Sequence, residues 1–190
     1  MLVVFVSSCI ISIFFSLSFK NEDGIDIIEL LELELERKIN NDIPPRKKKD
    51  RALLFAINDY KHLKNLKNPI QDAQSIKKEL EELYGFEVEL IENATSENII
   101  NKLSFYKQAY KTGEFDKEGQ LLILFSGHGI NKDGTGYFLP SDGNPMSLLT
   151  LMSSGISYSI IRPFINEIEC KHILTAIDAC HSSMFDPNLK

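Results

Sequence analysis

From residue 51 onward, two kinds of apolar pattern alternate along the chain. Residues 52–57, 86–91, 121–125 and 173–178 read as strands, the first, third and fourth as short apolar runs bounded by polar residues, as buried parallel strands are. Between them the apolar positions fall at three- and four-residue steps. Ile70, Ala73, Ile76, Leu80 and Leu83 predict an amphipathic helix over Pro69–Tyr84, started by the proline and ended by Gly85. Ile99, Ile100, Leu103 and Tyr106 predict a second, with Thr95 or Ser96 as its cap. Ile160, Ile161, Phe164, Ile165 and Ile168 predict a third. Residues 132–136 have turn composition, and 137–139 read as a short return strand. Strands and helices in alternation imply an α/β domain with a mostly parallel sheet and helices on both faces.

The first 50 residues follow other rules. Residues 1–19 carry no charged side chain, and their length suits a signal peptide or a membrane anchor, the one route by which the chain would meet a membrane. The protein is then expected to be secreted or membrane-anchored, and cytoplasmic without such a segment. Residues 20–50 form an acidic, leucine-rich helix followed by a linker with two prolines and a basic run. The domain proper is placed at 51–190.

Length allows one domain with a real core. The formal net charge of -6 gives no support for a nucleic-acid partner, and none is expected. Three cysteines, Cys9, Cys170 and Cys180, make no disulfide framework.

The candidate chemistry lies where two of the predicted strands end. One stops at Ser126-Gly127-His128-Gly129, the other at Asp178-Ala179-Cys180. Ligands in open α/β sheets bind at the carboxyl ends of the strands, so parallel neighbours would bring His128 and Cys180 to one edge. A thiol needs such a base, because the thiolate is the nucleophile. The alternatives are a buried structural cysteine and an ordinary loop histidine. Cys170, His172, Cys180 and His181 are zinc-type residues, but an intervening strand of about 20 Å separates the two pairs, so no metal site is predicted. Asn93-Ala94-Thr95 is a glycosylation sequon.

These stretches resemble the caspase-like cysteine peptidases, most closely the metacaspase and bacterial branch. The resemblance is carried, in the family's order, by residues 52–60, Asp72-Ala73, 84–88, 125–129, 136–140 and 178–182. His128 precedes Cys180 by 52 positions, against roughly 50 in caspases. The resemblance implies a caspase-like three-layer α/β/α sandwich with a mostly parallel sheet, cut short after the catalytic cysteine so that C-terminal strands are missing. Only the large-subunit half would be present, so that either a second chain completes the sheet at its open edge or the gene product is truncated or degenerate. It implies Cys180 as nucleophile, His128 as general acid and base, and the N–H groups of Gly129 and Cys180 as the oxyanion hole. Asp178 and Asp72 would bind a basic substrate side chain. Metacaspases carry Asp at the first of these positions and cleave after Arg or Lys. Asp-cleaving caspases carry Gln there, with an Arg where this chain has Leu66. Ser183 replaces the family's usual Gly. The expected activity is a cysteine endopeptidase acting on protein or peptide after Arg or Lys, or alternatively an inactive caspase-like binding module. The sequence demands no cofactor; the resemblance brings calcium, which metacaspases commonly need.

Overall fold

A computed structural model describes residues 2–5, as backbone, and 49–179. The rest of the segment expected to direct targeting, the stretch expected to form an acidic helix, most of the expected linker, and Cys180, His181 and Ser183 lie outside the described residues.

The core is a parallel sheet. Strands β2 (Arg51–Ala56), β3 (Glu87–Glu92), β4 (Gln120–Gly127) and β8 (His172–Ala179) are the four predicted runs, shifted or extended by one or two residues at their ends. They lie in the order β8-β4-β2-β3, all parallel. The short strand β1 (Leu2–Phe5) adds to the far edge of β8, also in parallel, with Leu2 level with Leu174. The edge expected to be open thus has a neighbour from this chain itself.

Alternate residues of β2 feed two cores. Leu53, Phe55 and Ile57 point to one face with Ile123, Phe125 and Ile177, under helices α2 (Ser96–Thr112) and α4 (Tyr158–Asn166). Ala52 and Leu54 point to the other with Leu124 and Ala176, where Leu80 of α1 (Pro69–Tyr84) packs. Burial on both faces is why the strands read as continuous apolar runs. The result is the expected three-layer α/β/α arrangement.

Local signals explain the boundaries. Helix α1 begins on Pro69 and stops at Gly85, whose φ of 68° is the left-handed C-cap conformation. Thr95 closes a capping box with Asn98 at the start of α2. Asp133 and Gly134, at φ 53° and 79°, form the tight turn between β5 (Gly129–Lys132) and β6 (Thr135–Phe138). With β7 (Ile156–Ser157) these make a small antiparallel sheet. Helix α3 (Leu148–Ser154) was not foreseen. Its apolar residues Leu149 and Met152 face solvent and only Leu151 is buried, so no core-facing stripe announces it. Asp50, assigned by sequence to the linker, is instead buried, and its carboxylate accepts the Gln120 N–H at 2.7 Å. No helix among the described residues is long and apolar enough to cross a membrane.

Candidate active site

Because β2, β4 and β8 are parallel, their carboxyl ends meet on one side of the sheet. The β4–β8 register pairs Ser126 with Asp178 and Gly127 with Ala179, the last described residue. His128 follows Gly127 directly, and Cys180 follows Ala179.

His128 is held by the loop that leaves β2. Its backbone N–H donates to the Tyr60 hydroxyl oxygen at 2.8 Å, and the two rings lie 4.6 Å apart between centroids, tilted by 55°. Its Nε2 is 2.9 Å from the Lys64 carbonyl oxygen. A carbonyl can only accept, so Nε2 carries a proton and Nδ1 is the atom of a neutral ring left to take one. This is the general arrangement of a base oriented by a third group. The His128 carbonyl also accepts the Leu139 N–H, which ties the residue to β6.

The loop is itself built from side-chain amides. Asn93 Oδ1 accepts the N–H groups of Asn58 and Asp59, and Asn93 Nδ2 donates to Asp59 Oδ2. Asn65 donates to Asp59 Oδ1 and accepts the Tyr60 N–H. Asn58 Oδ1 accepts the N–H of Ile70, in the first turn of α1. Asn93 sits at φ 50°, a left-handed conformation that asparagine tolerates best among residues with a Cβ, glycine apart. The amide of the predicted sequon is therefore committed to holding this loop. Tyr60 is buried, and burial pushes its phenol up to about 12, so the hydroxyl stays neutral at working pH.

Asp178 is half-buried at the end of β8, with Ser126 Oγ donating to its Oδ2 at 3.3 Å. Burial first, then the negative charge of Asp72, raises its carboxyl above the ordinary range, while the Ser126 hydrogen bond works the other way. Asp72 is exposed in the first turn of α1, where the helix dipole favours it. The two acids named from sequence thus share one electrostatic neighbourhood. Leu66, where Asp-cleaving caspases would have Arg, packs against the core. Gly129 opens β5 opposite Phe138.

Cys170 and His172 lie at the opposite, amino end of β8. The Cys170 thiol is half-buried against the Gly119 and His172 carbonyls, and burial raises it. Among the described residues no group of three or more His, Cys, Asp or Glu side chains is placed to hold a metal ion.

Sequence reasoning missed Tyr60, the Lys64 carbonyl and Ser126. Tyr60 and Ser126 stood inside stretches recognised as family motifs, but without a role. The carbonyl has no side-chain signature at all.

A family model described as the caspase domain matches residues 49–190. No curated protein matches the chain.

Proposed function

The chain belongs to the caspase-domain family of cysteine peptidases, and from that premise we propose an endopeptidase that cleaves proteins after Arg or Lys with a Cys180–His128 dyad. The observation that carries the reading is the register of β4 on β8, with Gly127 level with Ala179. His128 follows Gly127 directly and Cys180 follows Ala179, so the two proposed partners are the next residues in the chain after a level pair.

In the proposed mechanism His128 takes the Cys180 proton at Nδ1, while Nε2–H stays on the Lys64 carbonyl. The thiolate attacks the scissile carbonyl carbon. Negative charge develops on the carbonyl oxygen and is met by the N–H groups of Gly129 and Cys180, a donor set of which each member is worth roughly 3 kcal/mol in other enzymes. His128 returns the proton to the leaving amine as the C–N bond breaks. It then deprotonates the water that cleaves the thioester, releasing the acid and restoring the thiol.

The basic specificity rests on Asp178 and Asp72. A carboxylate already raised by burial and by a second negative charge gains from a cation beside it. This acid pair, with Leu66 in place of an arginine, supports the metacaspase branch over the Asp-cleaving one. Residues 1–19 are proposed as a targeting segment whose removal would free the β8 edge that Leu2–Phe5 line, and a second chain as the component that would then extend the sheet. Cell fractionation with and without residues 1–19 tests the first, and mass photometry the second.

The test is cleavage of a fluorogenic peptide panel with Arg, Lys or Asp before the scissile bond, by the full chain and by Cys180→Ala, with and without calcium. Cleavage after Arg or Lys, lost in the variant, is expected. Cleavage after Asp would overturn the acid-pocket reading, and cleavage that persists in Cys180→Ala would overturn the nucleophile.

A further inference from the structure

We infer that Tyr60 is a positioning residue for His128, acting through its hydroxyl, and that this hydroxyl occupies the place a Cβ at Gly127 would take. The inference rests on the reading of His128 as the base, and goes beyond it by naming what sets the base in place.

Three independent features converge on the pair. The Tyr60 hydroxyl oxygen accepts the His128 backbone N–H, so it holds the main chain at the point where β4 ends. The Tyr60 ring lies against the imidazole, which limits the swing of the side chain. A Cβ built at Gly127 would stand 2.5 Å from the Tyr60 oxygen, closer than real carbon contacts come, whereas its next neighbours, Ile57 and Phe138, would be at 3.4 Å. The hydroxyl is thus wedged under the backbone just before the histidine. Its neutral phenol at working pH suits a fixed acceptor and excludes a role as a titrating acid or base.

The same loop supplies both constraints on the base. Tyr60 fixes the backbone and one ring face, and the Lys64 carbonyl fixes the proton on Nε2. Shifting the His128 backbone loosens the contact that sets the tautomer, and with it the availability of Nδ1. The expected signature is a fall in kcat with KM nearly unchanged, because Tyr60 is buried and acts on the base.

The experiment compares the full chain with Tyr60→Phe, Gly127→Ala and the double variant. It reads kcat and KM on the cleaved peptide, the His128 imidazole nitrogen shifts by NMR, and exchange of the His128 amide proton. Tyr60→Phe keeps the ring and is expected to lower kcat five- to tenfold with KM within twofold. Its His128 amide should exchange faster, and its imidazole nitrogens should move from the Nε2–H tautomer toward a mixture. Gly127→Ala is expected to lower kcat more. The double variant should lose less than the product of the two single losses, because removing the hydroxyl makes room for the methyl. Unchanged kcat together with unchanged His128 signals in Tyr60→Phe would overturn the inference, as would losses that multiply. If the wild-type chain cleaves no peptide, the peptidase reading fails separately, and the NMR and exchange readings alone decide: a shift in Tyr60→Phe supports the positioning role and no shift overturns it.

Discussion

Asp178→Asn separates the specificity of this protein from its stability, and the two effects run in opposite directions. The carboxylate is half-buried, receives one hydrogen bond from Ser126, and feels Asp72 nearby. A substrate guanidinium about 4 Å away at an effective dielectric of about 20 gains about 4 kcal/mol of Coulomb attraction. Desolvation offsets part of this, and a net loss of about 2 kcal/mol on neutralising Asp178 is a reasonable figure for a partly buried pair. That corresponds to roughly 30-fold in kcat/KM. The clean assay is the ratio of kcat/KM for an Arg peptide and its citrulline isostere, which has the same shape without the charge. The ratio should fall about 30-fold in Asp178→Asn, with the citrulline rate nearly unchanged. The stability effect follows from linkage. The folded-state pKa is raised above the unfolded one, so the native state binds more protons across the interval between them. Stability therefore falls as pH rises from the ordinary carboxylate range through the raised value, and stays lower at neutral pH. Removing the charge should leave the neutral-pH melting temperature unchanged or higher. An Arg-to-citrulline ratio unaffected by the substitution would refute the pocket assignment.

Other expectations follow from the same geometry. For an Arg substrate KM should rise as pH falls through the elevated Asp178 pKa, and the citrulline peptide should show no such limb; matched pH profiles of the two peptides check this. Asn93→Ala removes three hydrogen bonds and leaves alanine in a left-handed conformation, so urea titration should show a loss of about 2–3 kcal/mol. The same variant should lose activity at temperatures where it is still folded, because its loop carries Tyr60 and Lys64. His128→Ala should reduce peptide cleavage by at least a thousandfold, measured beside Cys180→Ala as the zero.

Much of this arrangement was legible because the sheet is covered on both faces. Buried strands such as β2 have no polar alternation to confuse them, and Pro69 and Gly85 punctuate α1 at both ends. Helix α3 escaped because its apolar residues do not face the core; its one clear signal was the capping pair Ser147 and Thr150. At the site, His128 and Asp178 could be named because each ends an apolar run. The clamp on His128 could not be read, since it uses a phenol otherwise indistinguishable from a core tyrosine and a main-chain carbonyl. The amide network behind it joins residues up to 35 positions apart, a pairing that no local pattern encodes. The edge of β8 was expected to be open from the family resemblance; its neighbour, β1, pairs through backbone hydrogen bonds between residues as far apart in sequence as Leu2 and Leu174, which no local pattern encodes.

The most direct test of the central claim is the thiol chemistry of Cys180 itself. Alkylation of the full chain by iodoacetamide across pH, with each cysteine resolved by mass spectrometry, gives the pKa of Cys180 beside those of Cys9 and Cys170. A thiolate stabilised by the His128 imidazolium should react already near pH 6, well below the ordinary thiol value of about 8.5, and that reactivity should vanish in His128→Ala. A Cys180 that titrates near 8.5 in both proteins would contradict the dyad.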